Sequence, residues 1–164
     1  MSVRKAAFAP VAAPDARLLI LGSLPGEASL AAGRDYAPPR NLFWRLVGGA
    51  IRVDLAALDY AARLEALRAH RIALWDTVAS ARREGSLDAA IREAEHAQLA
   101  ALVATLPELR AVAFNGRTAS TIGRRQLAGA ALALIDLPSS SPAYAAMPLA
   151  DKARVWSQLA DFLG

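Results

Sequence analysis

Cysteine is absent from the 164 residues of the sequence. Its absence excludes disulfides, thiolate catalysis, cysteine-ligated zinc and iron–sulfur clusters. It also fits the reducing cytoplasm, where we expect the protein to act. The two histidines, His70 and His96, fall at the end and on the face of predicted helices, without partners at ligand spacing. The sequence therefore predicts no metal site, and it points to no other cofactor.

Long hydrophobic runs are missing as well. Hydrophobic residues make up 55% of the sequence, but a strongly apolar run such as 18–21 is far too short to cross a bilayer. Residues 1–14 carry basic side chains but no apolar stretch followed by a cleavage signal. We expect no membrane partner and no secretory peptide. A length of 164 residues suits one domain over residues 1–164, with 1–15 as an N-terminal extension.

Lysine is scarce, since Lys5 and Lys152 are the only lysines among 19 basic residues and the others are arginines. The net charge is +4. Because a guanidinium group binds phosphate in a bidentate manner, this balance suits a nucleic-acid surface. The codon preference of a GC-rich genome is an alternative cause. Charge alone is therefore weak evidence for a polyanionic partner.

Short apolar runs alternate with helical patterns along the chain. Four runs indicate buried parallel strands, because each is continuous and is followed by turn residues. They are 17–21, 71–75, 110–114 and 131–137. Helical spacing is found at 41–51, 60–70, 95–105, 116–125 and 148–162. This alternation predicts a three-layer α/β/α domain with a central four-stranded, mainly parallel sheet.

Ligands of such sheets bind beyond the carboxyl ends of the strands, so the four following loops form the candidate site. They are 22–26, 76–80, 115–117 and 138–142. In the first loop, Gly22 and Gly26 flank Ser23, Leu24 and Pro25, and such a turn allows backbone amides to approach an anion or a base carbonyl. It lacks the Lys-Ser/Thr ending of a P-loop and the third glycine of a dinucleotide fingerprint. An ordinary tight connection is the alternative.

The segment 36–44 is more informative. Two prolines hold the chain extended just before a helix, where Arg40 and Asn41 follow. Asn41 is either a helix cap or a functional amide. We expect Phe43 and Trp44 to enter the core, and Tyr36 to be the better candidate for stacking on a base.

The loop after the last strand carries Ser139, Ser140 and Ser141 between two prolines. Hydroxyls and free amides on a rigid, uncharged loop are compatible with phosphate binding. A plain surface turn is the alternative.

Taken in order, these motifs resemble those of the hypoxanthine-DNA glycosylase branch of the uracil-DNA glycosylase superfamily. The matching pieces are 21–30, 36–44, 74–76 with 83–88, 114–116 and 137–143. The resemblance spans about residues 18–156, and five ordered motifs are more specific than any single one. It implies a monofunctional enzyme that hydrolyses the N-glycosidic bond of a deaminated base, hypoxanthine foremost, in base-excision repair.

The resemblance also implies where the chemistry lies. Better-known uracil branches place Asp or Asn in the first motif to handle water, and here Leu24 occupies that position. Leu137 stands where classical uracil enzymes use a histidine. The catalytic amide of this branch corresponds to Asn41. A contribution from an acid such as Asp35 or Asp76 stays open.

The remaining roles follow from base flipping. Tyr36 would stack on the extruded base, Asn115 would read its edge, and the backbone of 22–26 would face it. The serine loop 139–141 and Arg40 would contact phosphates. Because the motifs contain no lysine, no Schiff-base incision is expected.

Other functions remain open at this point. They are a glycosylase with uracil or xanthine preference, a catalytically silent nucleic-acid-binding module and, with less support, a small-molecule nucleoside hydrolase. For the predicted glycosylase, damaged DNA is the expected partner, and we expect a monomer.

Overall fold

A computed structural model describes residues 4–142, 144 and 146–164. Residues 1–3 of the expected N-terminal extension and residue 143 of the last motif lie outside the described residues. The strands are β1 (Arg4–Ala6), β2 (Leu18–Gly22), β3 (Ile72–Asp76), β4 (Val78–Arg82), β5 (Arg92–His96), β6 (Ala111–Asn115) and β7 (Ala133–Leu137). The α-helices are α1 (Glu27–Ala32), α2 (Phe43–Ile51), α3 (Tyr60–Ala69), α4 (Leu99–Val103), α5 (Arg117–Leu127) and α6 (Leu149–Ser157). Short 3₁₀ turns cover Leu55–Ala57, Asp88–Ala90 and Gln158–Phe162.

The central sheet consists of four parallel strands in the order β3-β2-β6-β7. Each corresponds to one of the four predicted apolar runs, shifted by one or two residues at its ends. The register pairs Gly22 with Asp76, and Asn115 with Leu137. The last residues of the four strands therefore lie along one edge. The predicted α/β class with a four-stranded parallel sheet is confirmed.

The central strands carry a core on both faces because successive side chains point to opposite sides. On β2, Leu18 and Ile20 pack with α2, α3 and α6, whereas Leu19 and Leu21 pack with α4 and α5. All four side chains are completely buried. Phe43 and Trp44 at the start of α2 are buried as well, which confirms their expected place in the core.

A second, antiparallel sheet with the order β1-β4-β5 was not predicted. Its strand β4 occupies most of 76–80, which was expected to be a loop, and β5 occupies the start of the helix expected over 95–105. The helical part of that region is only α4. His96 consequently ends a strand instead of lying on a helical face. The physical reason is that β5 is exposed along its whole length, so no apolar periodicity marks it.

The N-terminal segment and the last helix also differ from expectation. Residues 4–6 pair with β4, so this part of the predicted extension is a strand of the small sheet. The helix expected over 148–162 ends at Ser157 and continues as a 3₁₀ turn. No helix among the described residues combines the length and apolar character needed to span a bilayer.

Candidate active site

The carboxyl ends of the central strands open into a pocket of about 370 Å³. Its walls come from the loop after β2, the segment before α2, the ends of β3 and β6, the loop before β5 and the serine loop after β7. The lining residues are Gly22–Gly26, Ala28, Ser29, Asp35, Tyr36, Pro38, Asn41, Asp76, Ser86–Asp88, Asn115, Ser139–Pro142 and Tyr144. All candidate residues from the sequence line this pocket except Arg40, which is exposed outside it. Their individual roles stay predictions.

Asn41 lies two residues before the first residue of α2, and its side chain is held by two donors. Its Oδ1 accepts hydrogen bonds from the Phe43 amide at 3.0 Å and from the Ser140 hydroxyl at 2.8 Å. A backbone N–H can only donate, so the bond from Phe43 establishes which amide atom is the oxygen. No described residue accepts a hydrogen bond from Asn41 Nδ2. The amide therefore presents two N–H groups for a ligand.

Asn115 ends β6 and uses all of its polar atoms within the protein. Its Oδ1 accepts the Ser140 amide at 2.9 Å, which establishes its orientation in the same way. Its Nδ2 donates to the Ser140 hydroxyl at 2.9 Å and to the Tyr36 hydroxyl at 3.3 Å. Ser140, which is buried, thus links the two asparagines. We call Asn41, Asn115 and Ser140 the amide side of the pocket.

Tyr36 joins this network through its hydroxyl and also packs through its ring. The ring stacks on Phe43 with centroids 3.9 Å apart and planes 11° from parallel. Its backbone adopts φ 52°, in the left-handed region that non-glycine residues seldom enter. Burial raises the pKa of Tyr36 well above 10, so its phenol is neutral.

Two buried carboxyl groups, Asp35 and Asp76, form what we call the carboxyl side. Asp76 ends β3 and is 5% exposed. Its carboxyl group has no hydrogen bond or ion pair with another described residue. Burial raises the pKa of Asp76 well above its usual range, and the neighbouring Asp35 and Asp88 act in the same direction. Asp35 accepts a hydrogen bond from the Tyr60 hydroxyl at 3.2 Å. Burial raises the pKa of Asp35 to about 6, against the opposing effect of that bond.

Gly22 makes the approach of these groups possible. A Cβ atom at this position would lie 2.7 Å from the Tyr36 hydroxyl and 2.8 Å from Asp76 Oδ1. Both distances are shorter than any ordinary contact. The glycine that the sequence indicated for ligand approach thus also makes room for two side chains of the pocket.

Two buried cations, which were not singled out from the sequence, hold the loops of the pocket. The guanidinium of Arg83 donates to the carbonyls of Leu24, Pro25 and Gly85. Lys152 donates from Nζ to the carbonyls of Ser139 and Tyr144, each at 2.7 Å. The scarcity of lysine was the one available signal for Lys152, whereas Arg83 was visible only as part of a motif.

The remaining candidate residues form hydrogen bonds outside the network of Asn41, Asn115 and Ser140. The Ser23 hydroxyl donates to the exposed carboxylate of Asp88 at 2.6 Å. The Ser139 hydroxyl accepts the Ser141 amide at 3.1 Å. His70 contacts the Ala66 carbonyl at the end of α3. Across the described part of the chain, no group of three histidine, aspartate or glutamate residues is arranged to hold a metal ion.

This fold and this strand-end pocket agree with one family. The model of the uracil DNA glycosylase superfamily matches residues 9–160. The chain therefore belongs to the uracil DNA glycosylase superfamily. The resemblance found in the sequence is thereby confirmed.

Similar curated proteins and a solved structure support the same family assignment. The chain is 42% identical over 115 residues to a hypoxanthine DNA glycosylase of Methanosarcina barkeri (strain Fusaro / DSM 804), covering 70% of this chain and 73% of the relative. It is 40% identical over 139 residues to a hypoxanthine DNA glycosylase of Methanosarcina acetivorans, covering 85% of this chain and 87% of the relative. A solution NMR structure of a uracil DNA glycosylase candidate from Methanosarcina acetivorans matches with a TM-score of 0.88 and 35% identity, over 98% of this chain and 99% of that one.

Proposed function

We propose that this chain is a monofunctional DNA glycosylase that releases hypoxanthine from deoxyinosine in DNA. Its relatives with 40–42% identity are named hypoxanthine DNA glycosylases. The structural observation that carries the proposal is the amide of Asn41, whose oxygen is held by Phe43 and Ser140 while its nitrogen is left for a ligand. We further propose that the chain acts as a single domain and a monomer in the cytoplasm, with damaged DNA as its partner.

The pocket suits one extruded base. A base inside the duplex must be flipped out before its glycosidic bond is accessible. A volume of about 370 Å³ lies within the range of small-ligand sites. The Tyr36 ring, supported by Phe43, would provide the stacking surface. Such a contact contributes about 1–3 kcal/mol per base in single-strand binders.

Hydrolysis would break the bond between the sugar C1′ and the base nitrogen, with positive charge developing on the sugar and negative charge on the leaving base. Water would add to C1′, and its proton would balance the charge of the released base. Because both hydrogen bonds that hold Asn41 end on its Oδ1, the residue acts as a donor through Nδ2. A donor directed at an acceptor nitrogen of the departing purine stabilises the charge as it forms. A comparable pre-oriented donor contributes roughly 10²–10³-fold to the rate in other enzymes.

The first motif supports a preference against uracil. Leu24 is buried, its side chain has no polar atom, and its carbonyl accepts from Arg83. It can neither activate nor position water. A purine base leaves more readily than uracil does, because its ring nitrogens accept protons or hydrogen bonds. Its release therefore depends less on a residue that activates or positions water.

The distribution of charge supports contact with DNA outside the pocket. Arg40 directly precedes Asn41, Arg117 follows Asn115 by two residues, and both arginines are exposed. No basic residue is among the described residues that line the pocket. The Ser139 hydroxyl lies outside the Asn41–Asn115 network and accepts the Ser141 amide, so Ser139 is a better phosphate ligand than Ser140. Ser140 would act instead through Asn41.

A base-release assay tests the proposal. Purified protein is incubated with oligonucleotides that carry hypoxanthine, uracil or xanthine, and abasic sites are then cleaved with alkali. We expect turnover on hypoxanthine and little release of uracil. Uracil release without hypoxanthine release would identify a different glycosylase, and lesion binding without any release would identify a binding module.

A further inference from the structure

The side chain of Asp76 is a buried polar group without a partner. It ends β3, is 5% exposed and lines the same pocket as Asn41. No described residue forms a hydrogen bond or an ion pair with its carboxyl group. Because Asp76 lines the pocket, a ligand bound there can complete the hydrogen bonds that its carboxyl group lacks within the described part of the protein.

The groups around Asp76 disfavour its ionised form. From the segment before α2 it faces Asp35 and the neutral phenol of Tyr36, and from the loop before β5 it faces Asp88. Tyr60 of α3 is hydrogen-bonded to Asp35. The buried cation Arg83 is committed to three backbone carbonyls. An ionised Asp76 would therefore be desolvated and uncompensated.

We propose that Asp76 is a neutral carboxylic acid that reads the lactam edge of the flipped base. This inference rests on the proposed function and names the contact that selects its substrate class. A neutral carboxyl group has one O–H donor and one carbonyl acceptor side by side. Hypoxanthine presents the complementary pair, an N1–H donor beside the O6 acceptor. The two groups pair through two hydrogen bonds.

The ionised form would not support this pairing. A carboxylate offers acceptors only, so it would accept from N1–H but would repel O6. Recognition by Asp76 is therefore coupled to one proton that the protein, and not the base, supplies. Excision should fall as the pH rises through the pKa of this carboxyl group.

The test compares Asp76→Asn and Asp76→Ala with the unmodified protein in single-turnover excision of hypoxanthine across a pH series. Asparagine keeps a carbonyl and an N–H donor at all pH values. We expect Asp76→Asn to stay within about 10-fold of the unmodified rate at neutral pH and to lose the alkaline decline. Asp76→Ala should lose about 10- to 100-fold, as expected for one unmade polar contact.

Asp35→Asn is the matched control, because it neutralises the neighbouring carboxyl group. It should move the alkaline decline to lower pH, since it removes a negative charge that favours protonation of Asp76. It should not abolish the decline. An unchanged decline in Asp76→Asn, or a loss as severe as that of alanine in a folded protein, would overturn the proposal.

Infrared difference spectroscopy gives a readout that does not depend on excision. The unmodified protein at neutral pH should show the carbonyl band of a protonated carboxyl group, and Asp76→Asn should lack that band. Absence of the band refutes the neutral Asp76. A band present in a protein that releases no hypoxanthine would instead refute the proposed function and retain the neutral carboxyl group.

Discussion

The two sides of the pocket satisfy their polar atoms in different ways. On the amide side, Asn115 and the Ser140 hydroxyl direct their hydrogen bonds to protein groups. On the carboxyl side, Asp76 has no partner among the described residues, and Asp35 has the Tyr60 hydroxyl. Asn115 at the end of β6 and Asp76 at the end of β3 lie on either side of β2, and both residues are buried.

This contrast separates a scaffold from a recognition surface. The paired polar atoms of Asn115 and Ser140 hold the Asn41 oxygen in one arrangement, which is what a pre-oriented catalytic amide requires. An unpaired buried group lowers the stability of the empty protein, and a ligand that completes the contact recovers that loss. We interpret the amide side as the scaffold of Asn41 and the carboxyl side as the surface kept for the base.

The largest loss of excision activity is expected when the Asn41 amide, the donor of the amide side, is removed. Asn41→Ala should reduce single-turnover excision by roughly 10²–10³-fold, because the leaving base loses its pre-oriented donor. It should also lower the free energy of unfolding by about 0.5–2 kcal/mol, because the Phe43 amide loses its acceptor. Excess enzyme and a rapid-quench assay measure the first effect, and thermal melts measure the second.

Asn41→Asp separates these two effects. Aspartate keeps an acceptor for the Phe43 amide and the Ser140 hydroxyl but has no N–H donor. It should therefore melt near the unmodified protein and still lose most of its activity. Near-normal excision by this variant would show that the oxygen of Asn41, and not its nitrogen, carries the function.

The next largest effect is expected on stability, when Asn115 is removed from the amide side. Asn115→Ala should destabilise the protein by about 1–3 kcal/mol, because the buried Ser140 amide loses its acceptor. A double-mutant cycle with Ser140→Ala measures the coupling between the two side chains, which should exceed about 0.5 kcal/mol. Additive effects would mean that the bond between Asn115 Nδ2 and the Ser140 hydroxyl contributes little to stability, and that the Ser140 amide accounts for the loss.

Substitution of Gly22 tests how closely the Tyr36 hydroxyl and Asp76 must approach the end of β2. Gly22→Ala should destabilise the protein by about 1–3 kcal/mol, because its Cβ would crowd the Tyr36 hydroxyl and Asp76. Gly49→Ala is a matched control in α2, since no atom lies within 4 Å of its Cβ position. That change should raise stability by about 0.5–1 kcal/mol. Equal melting shifts for the two variants would argue against crowding at Gly22.

The smallest effect is the pH dependence contributed by Asp35. Its folded-state pKa of about 6 lies above the usual 3.8, so the folded protein holds the proton more tightly than the unfolded chain does. Stability is therefore highest below about pH 4 for this group, and it declines as the pH rises to about 6. Asp35→Asn should remove this decline and gain on the order of 1–2 kcal/mol at neutral pH. Urea titrations of both proteins at pH 4, 5, 6 and 7 measure the difference, and parallel curves would contradict it.

Local patterns in the sequence were sufficient for the central sheet and for the place of the pocket. Continuous apolar runs identify buried strands without reference to the rest of the chain. Strand β5 was not predicted because it is exposed along its whole length and is held by pairing with β4. Strand β4 was not predicted because only two of its five residues, Val78 and Ala81, are buried. Such pairing depends on a partner strand that no local window contains.

The sequence by itself determined which strand-end loops meet in the pocket, because parallel strands bring their carboxyl ends to one edge. Tertiary structure alone decided which of their polar atoms are paired. Asn41 and Asn115 look alike in the sequence, yet Ser140 pairs with one polar atom of the first and occupies both polar atoms of the second. These bonds join positions 25 and 99 residues apart, and they form only when the last loop is folded over the sheet. Asp76 has no partner for the same reason, since the loops that converge on it bring carboxyl groups and no free cation among the described residues.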